Sequence, residues 1–124
     1  MKHEEDQHQQ YLFSWFNIKY LHLKGMMFHI PNGQNVGMRA GARLKRAGLT
    51  AGIPDILLSI PTQDAKGEWI HGMYIEMKSA NGRNSPAQCK MQAMLKAVGY
   101  RVEVCKNWHD ARTVIDDYLS TYTS

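Results

Sequence analysis

The residues best suited to chemistry are Asp55, which follows Pro54, and the triplet Glu76, Met77 and Lys78 further along the chain. Two carboxylates and an ammonium are the parts of a hydrolytic centre built around a hard divalent cation. Carboxylate oxygens suit Mg²⁺, which uses one or two of them and keeps several waters. Such a cation polarises a phosphoryl group and acidifies water, and an ammonium beside it orients that water or offsets developing negative charge. Hydrolysis of a phosphodiester is the reaction this set suits best. The same residues fit a plainer account in which Glu76 and Lys78 form an ion pair on a solvated edge strand. Two charges in the apolar run around Ile75 and Met77 are costly to bury without partners, but the pattern alone leaves both accounts open.

For the three side chains to meet, Asp55 must open a strand whose antiparallel partner ends at Glu76 and Lys78. Residues 55–60 form a β-compatible apolar run closed by Pro61, residues 62–68 are polar with Gly67, and residues 69–78 are strand-like again. This reads as a hairpin with a loop longer than the minimal type. Side chains alternate along a strand, so Tyr74, Glu76 and Lys78 share one face while Ile75 and Met77 take the other.

The remaining elements follow from periodicity and punctuation. Residues 4 to about 23 carry Leu12, Trp15, Phe16, Ile18 and Leu23 at three- and four-residue steps, which predicts an amphipathic helix with an acidic first turn. Residues 26–30 read as a short strand, and Pro31, Asn32 and Gly33 as a turn. A basic helix is expected over residues 37–47, stopped by Gly48. Ser85, Pro86 and Gln88 stand at the N-cap, first and third positions of a helix that reaches about Val98 and stops at Gly99. A strand over 100–105 and a helix from residue 107 or 108 to 122 complete the chain. The order α-β-α-β-β-α-β-α implies an α/β or α+β fold, a mixed central sheet flanked by helices.

Bulk properties narrow the class. The 124 residues suffice for one domain, expected over 1–124, and 44% hydrophobic with 21% charged residues is ordinary for a globular protein. No apolar run is long enough to span a membrane, and the charged, amide-rich start lacks the apolar core of a secretory signal, so a cytoplasmic location is expected. Cys89 and Cys105 form no C-x-x-C pair, and the six histidines form no zinc-binding pattern. A net charge of +4 permits polyanion binding. Arg39, Arg43 and Arg46 recur at helical spacing with no acid among them, fitting either phosphate contacts or a solvated basic face. No G-x-x-x-x-G-K-[ST] loop is present, which disfavours a nucleotide-hydrolysing enzyme. Trp69, His71 and Tyr74 read as packing residues, and His29 as a hydrogen-bonding residue outside the chemistry.

Several segments in one order resemble a known family: Gly52-Ile53-Pro54-Asp55-Ile56-Leu57-Leu58, Tyr74-Ile75-Glu76-Met77-Lys78, Ser85-Pro86-Ala87-Gln88 and Gly99-Tyr100-Arg101-Val102. Together with Glu5-x-x-x-Gln9 and Ile30-Pro31-Asn32-Gly33, they resemble the virus-type replication-repair nuclease (VRR-NUC) domain of the PD-(D/E)XK superfamily over nearly the whole chain. The resemblance implies a restriction-endonuclease-like core and a Mg²⁺-dependent DNA endonuclease, with Mn²⁺ able to substitute. It implies that Asp55, Glu76 and Glu5 bind the metal, with Glu4 as the rival to Glu5 and with Met77 counted among the metal-binding positions. Lys78 would be the catalytic lysine and Gln88 a polar contact near the pocket, unless Gln88 only closes the capping box. Gln9 either shares the pocket or is an exposed amide. Arg39, Arg43, Arg46, Asn32, Gly33 and Arg83 are the expected DNA-contacting residues. Stand-alone members of this size look like phage proteins of DNA repair that dimerise and act on branched DNA such as four-way (Holliday) junctions, in the host cytoplasm. The alternative is a catalytically inactive DNA-binding module with a nuclease fold.

Overall fold

The computed structural model describes residues 2–32 and 36–122, with side chains from Glu5 onward. Gly33 and the side chain of Glu4 lie outside the described residues. Helix α1 (Lys2–Lys19) leads through a 3₁₀ turn (Leu21–Leu23) to strand β1 (Met27–His29), helix α2 (Met38–Arg46) and strand β2 (Ile56–Leu58). The short strands β3 (Thr62–Gln63) and β4 (Trp69–Ile70), strand β5 (Met73–Met77), helix α3 (Pro86–Ala97), strand β6 (Arg101–Cys105) and helix α4 (Trp108–Leu119) follow. The expected mixed α+β order is present. Among the described residues no helix is long and apolar enough to cross a membrane.

Two expectations need correction. The first helix ends at Lys19 rather than near Leu23, and Ile18 is 81% exposed instead of joining the apolar face. Leu12 and Phe16, four residues apart, are the ones fully buried, whereas Ile18 lies two residues past Phe16 and so well round the helix from it. The run 69–78 is also not one strand. It breaks at His71 and Gly72: β4 turns away to pair with β3, and β5 pairs with β2. Gly72 makes this possible, because a Cβ there would stand 3.0 Å from the Leu58 carbonyl oxygen.

The main sheet has the order β1-β2-β5-β6, antiparallel except for the parallel pair β5 and β6. That parallel step needs a crossover, which α3 supplies. Met27, Leu58 and Met73 stand in register, as do Ile56 and Ile75, so all five point to one face. There they form a single core with Leu12 and Phe16 of α1 and Ala111, Ile115, Tyr118 and Leu119 of α4. The opposite face carries Leu57, Tyr74, Glu76 and Val102 and is met by α3.

Helix α2 stands apart. None of its residues is buried, and its apolar side chains make no part of the core.

Candidate active site

The antiparallel register pairs Ile56 with Ile75. One residue outward, Asp55 and Glu76 therefore face each other on the α3 side of the sheet. Asp55 is held in place by the Met77 amide, which donates to its Oδ2 at 2.9 Å. Glu76 is 4% exposed. Its Oε2 accepts from Gln88 Nε2 at 3.2 Å and lies 3.5 Å from Lys78 Nζ. Its Oε1 is buried, and among the described residues no donor reaches it.

Burial pushes the Glu76 carboxyl up, and the neighbouring Asp55 pushes it further, to about 8, against the pull of Lys78. Burial also raises Asp55, while the Met77 amide, Lys78 and His29 oppose the rise. Closely spaced carboxylates disfavour each other's ionisation, which is why burial and proximity act in the same direction on Glu76.

Gln88 both closes its capping box and serves the site. Its backbone N–H donates to Ser85 Oγ at 3.1 Å, and its side-chain Oε1 accepts from Ser85 N at 2.8 Å. The same Oε1 accepts from Lys78 Nζ at 2.8 Å while Nε2 reaches Glu76, so one side chain ties the helix start to both charged residues. Lys78 has 13% of its side-chain surface exposed.

These four residues open onto a cavity of about 450 Å³. Glu5 and Asn32 stand on its wall, with the Thr50 to Ile53 loop. Among the described residues no three Asp, Glu, His or Cys side chains are gathered as a cation cage, so Glu5 does not close on the Asp55 and Glu76 pair. The pair itself fits a hard cation, because its orphan oxygen, raised carboxyl pKa values and all-oxygen donors suit an ion that needs one or two carboxylates.

Other expected residues lie further out. Arg39, Arg43 and Arg46 are exposed on α2, and Arg83 is exposed in the loop after Lys78. Gln9 does not line this cavity but lines an adjoining one, with Asp6 and His29. Trp69 and His71 belong to the hairpin end of the sheet, remote from Lys78; His71 and Tyr74 instead pack on Tyr100.

Several supports were not legible beforehand. His29 Nδ1 sits 2.9 Å from the Asp55 carbonyl oxygen, an outcome of β1 pairing with β2. Asn84 and Gln92 exchange amide hydrogen bonds at 3.0 and 3.2 Å, and Lys106 Nζ donates to the Gly82 carbonyl, so the loop after Lys78 is pinned from two sides. Gly52 has φ +84°, and a Cβ there would lie 2.3 Å from the Ala87 carbonyl oxygen at the start of α3. Only the glycine itself hinted at this contact.

A mixed sheet carrying an acid pair and a lysine at one strand end defines a nuclease-type domain. The sequence profile of the VRR-NUC domain matches residues 3–108, and the chain belongs to that family, whose nuclease character makes DNA its partner. A solved structure described as a VRR_NUC domain protein is 29% identical, with a TM-score of 0.78 over 95% of this chain and 89% of that one. Among curated proteins none matches the chain significantly.

The raised Glu76 pKa has a measurable sign. The unfolded chain releases this proton near its ordinary value of 4.5 and the folded protein near 8. Without divalent cations, stability should be fullest below that window and fall across it as pH rises, by on the order of a few kcal/mol. Urea unfolding in chelator at both ends of the window checks this, and Glu76→Gln should flatten the difference. Gly52→Ala should lower stability by about 1–3 kcal/mol, through backbone strain plus displacement of α3. Gly67→Ala, at φ +81° with open space around the new Cβ, carries the strain alone. The difference in unfolding midpoints between the two variants reads the clash, and equal midpoints would refute it.

Proposed function

We propose that this domain is a metal-dependent DNA endonuclease that hydrolyses phosphodiester bonds at the Asp55, Glu76 and Lys78 centre and prefers branched DNA such as four-way junctions. The observation that carries the reading is the buried Glu76 Oε1, without a donor and facing a second carboxylate. A structural ion pair would satisfy both oxygens, whereas an acid pair left in this state is suited to receive a cation.

Asp55 and Glu76 would hold Mg²⁺, or Mn²⁺ in its place, with the carbonyl of Met77 between Glu76 and Lys78 as the remaining candidate donor. The ion's contribution when bound is Lewis acidity toward the phosphate and toward water. Lys78, oriented by Gln88, places its ammonium where it can hold the attacking water or offset charge on the phosphate. Glu5, on the cavity wall, is positioned to orient water rather than to complete a cage.

DNA would be placed by charge. Arg39, Arg43 and Arg46 are exposed on α2, and among the described residues none of them is in an ion pair. Leu44 of the same helix lines the adjoining cavity, which shares Glu5, Asn32 and Asp55 with the site, and this supports a role for the basic helix beside it. Asn32 stands on the cavity wall and Arg83 is exposed in the loop after Lys78, and phosphate contacts from such residues would position a duplex without reading sequence. Symmetric cutting of a junction needs two centres, and one small domain offers one, which supports action as a homodimer.

Incubation with a labelled four-way junction and a matched linear duplex tests the reading. Cleavage should require Mg²⁺ or Mn²⁺, favour the junction, and fall at least ~100-fold in Lys78→Ala, as for removal of a transition-state electrostatic group. A folded protein that binds but cuts neither DNA would instead be an inactive binding module, and a monomer by light scattering would remove the dimer. Replacing Arg39, Arg43 and Arg46 with Ala should weaken binding alike for all sequences and reduce the slope of log affinity against log salt by about 2–3. An unchanged slope, measured by anisotropy titration over a salt series, would take α2 off the DNA.

A further inference from the structure

Two cavities meet at Asp55. The one beyond Glu76 is polar and contains Lys78. The second, of about 420 Å³, lies on the other side and shares Glu5, Asn32 and Asp55 with the first. We propose that this second cavity receives one unpaired nucleobase adjacent to the phosphate held at the acid pair. The proposal rests on the nuclease reading and gives the preference for branched DNA a physical cause.

The chemistry of the walls selects a base over the other parts of DNA. One side is apolar, formed by Leu44, Leu49, Val36 and Met77. Leu44 and Leu49 are only half-buried and contribute nothing to the core, although α2 and the turn after it could have been polar throughout. Apolar side chains kept out of the core and turned to a cavity beside a reactive centre are the usual lining for a flat organic ring. The other side carries Glu5, Asp6 and Gln9. A phosphate would be repelled by these carboxylates and by Asp55, whereas a neutral base offers exocyclic amino donors that carboxylates accept.

A base reaches such a cavity only when it leaves the stack, which costs least where it is already unpaired. Junction centres and flap boundaries supply such bases and continuous duplex does not. Because the polar rim is rich in acceptors, adenine, cytosine and guanine should be favoured over thymine, which has no exocyclic amine.

The test uses DNA with a short single-stranded branch carrying 2-aminopurine at each position in turn, bound by Lys78→Ala protein so that cutting does not interfere. Fluorescence should change markedly at one position only, and Leu44→Trp, which fills the cavity with apolar volume, should abolish that change while the salt-dependent binding persists. Gln9→Leu provides a second variant on α1 should α2 fail to form in the first. With wild-type protein and Mg²⁺, an abasic residue at the responding position should lower kcat/KM roughly tenfold relative to adenine, in line with the loss of one bound base. Leu44→Trp should cut the two alike. Equal responses at every position, or abasic DNA cut as well as intact DNA, would overturn the pocket. A single-position response in a protein that never cuts would keep the pocket and overturn the nuclease reading.

Discussion

Asp55 and Glu76 face each other across β2 and β5, burial raises both carboxyls, and one Glu76 oxygen is left without a donor among the described residues. Much of the surrounding structure is arranged around that arrangement's cost. Two carboxylates this close in a poorly solvated place repel, and the protein offsets the repulsion with the Met77 amide on Asp55 and with Lys78 and Gln88 on Glu76. The offset is incomplete at Glu76 Oε1. An under-satisfied acid pair costs stability, which singles this place out as a candidate binding site.

The start of α3 is the mechanical counterpart of this electrostatic centre. Ser85 and Gln88 close a capping box, and the amide of Gln88 carries the connection onward to Lys78 and Glu76. Gly52 lets the loop before Asp55 touch the helix backbone, and the Asn84 and Gln92 pair fastens the intervening loop. The floor of the site is therefore tied by hydrogen bonds to both the sheet and α3. Helix α2, without a buried residue, is the contrasting element, a basic helix docked only lightly on the rest of the fold.

Much of this was legible in residue order. Alternation put Glu76 and Lys78 on one face, Pro61 and the polar run after it marked the return of the chain, and Ser85-Pro86-Ala87-Gln88 announced a helix start. Local chemistry decides these features within a few residues. Ile18 and the break at Gly72 were misread because each depends on what lies opposite: the helix face chosen by α4, and the Leu58 carbonyl against which only glycine fits. The second role of Gln88 was equally hidden, since a capping glutamine and one that also ties down a lysine look the same along the chain.

By itself the sequence determined most of the secondary elements, most of the apolar set that forms the core, and which residues make the acid pair and its lysine, because propensity, periodicity and turn residues act over short range. The tertiary structure decided the rest. Strand register placed Asp55 opposite Glu76, docking of α3 gave Lys78 its orientation, and burial converted an ordinary glutamate into one that keeps its proton to about 8. Desolvation and like-charge proximity are properties of a three-dimensional neighbourhood, and no spacing along a chain contains them.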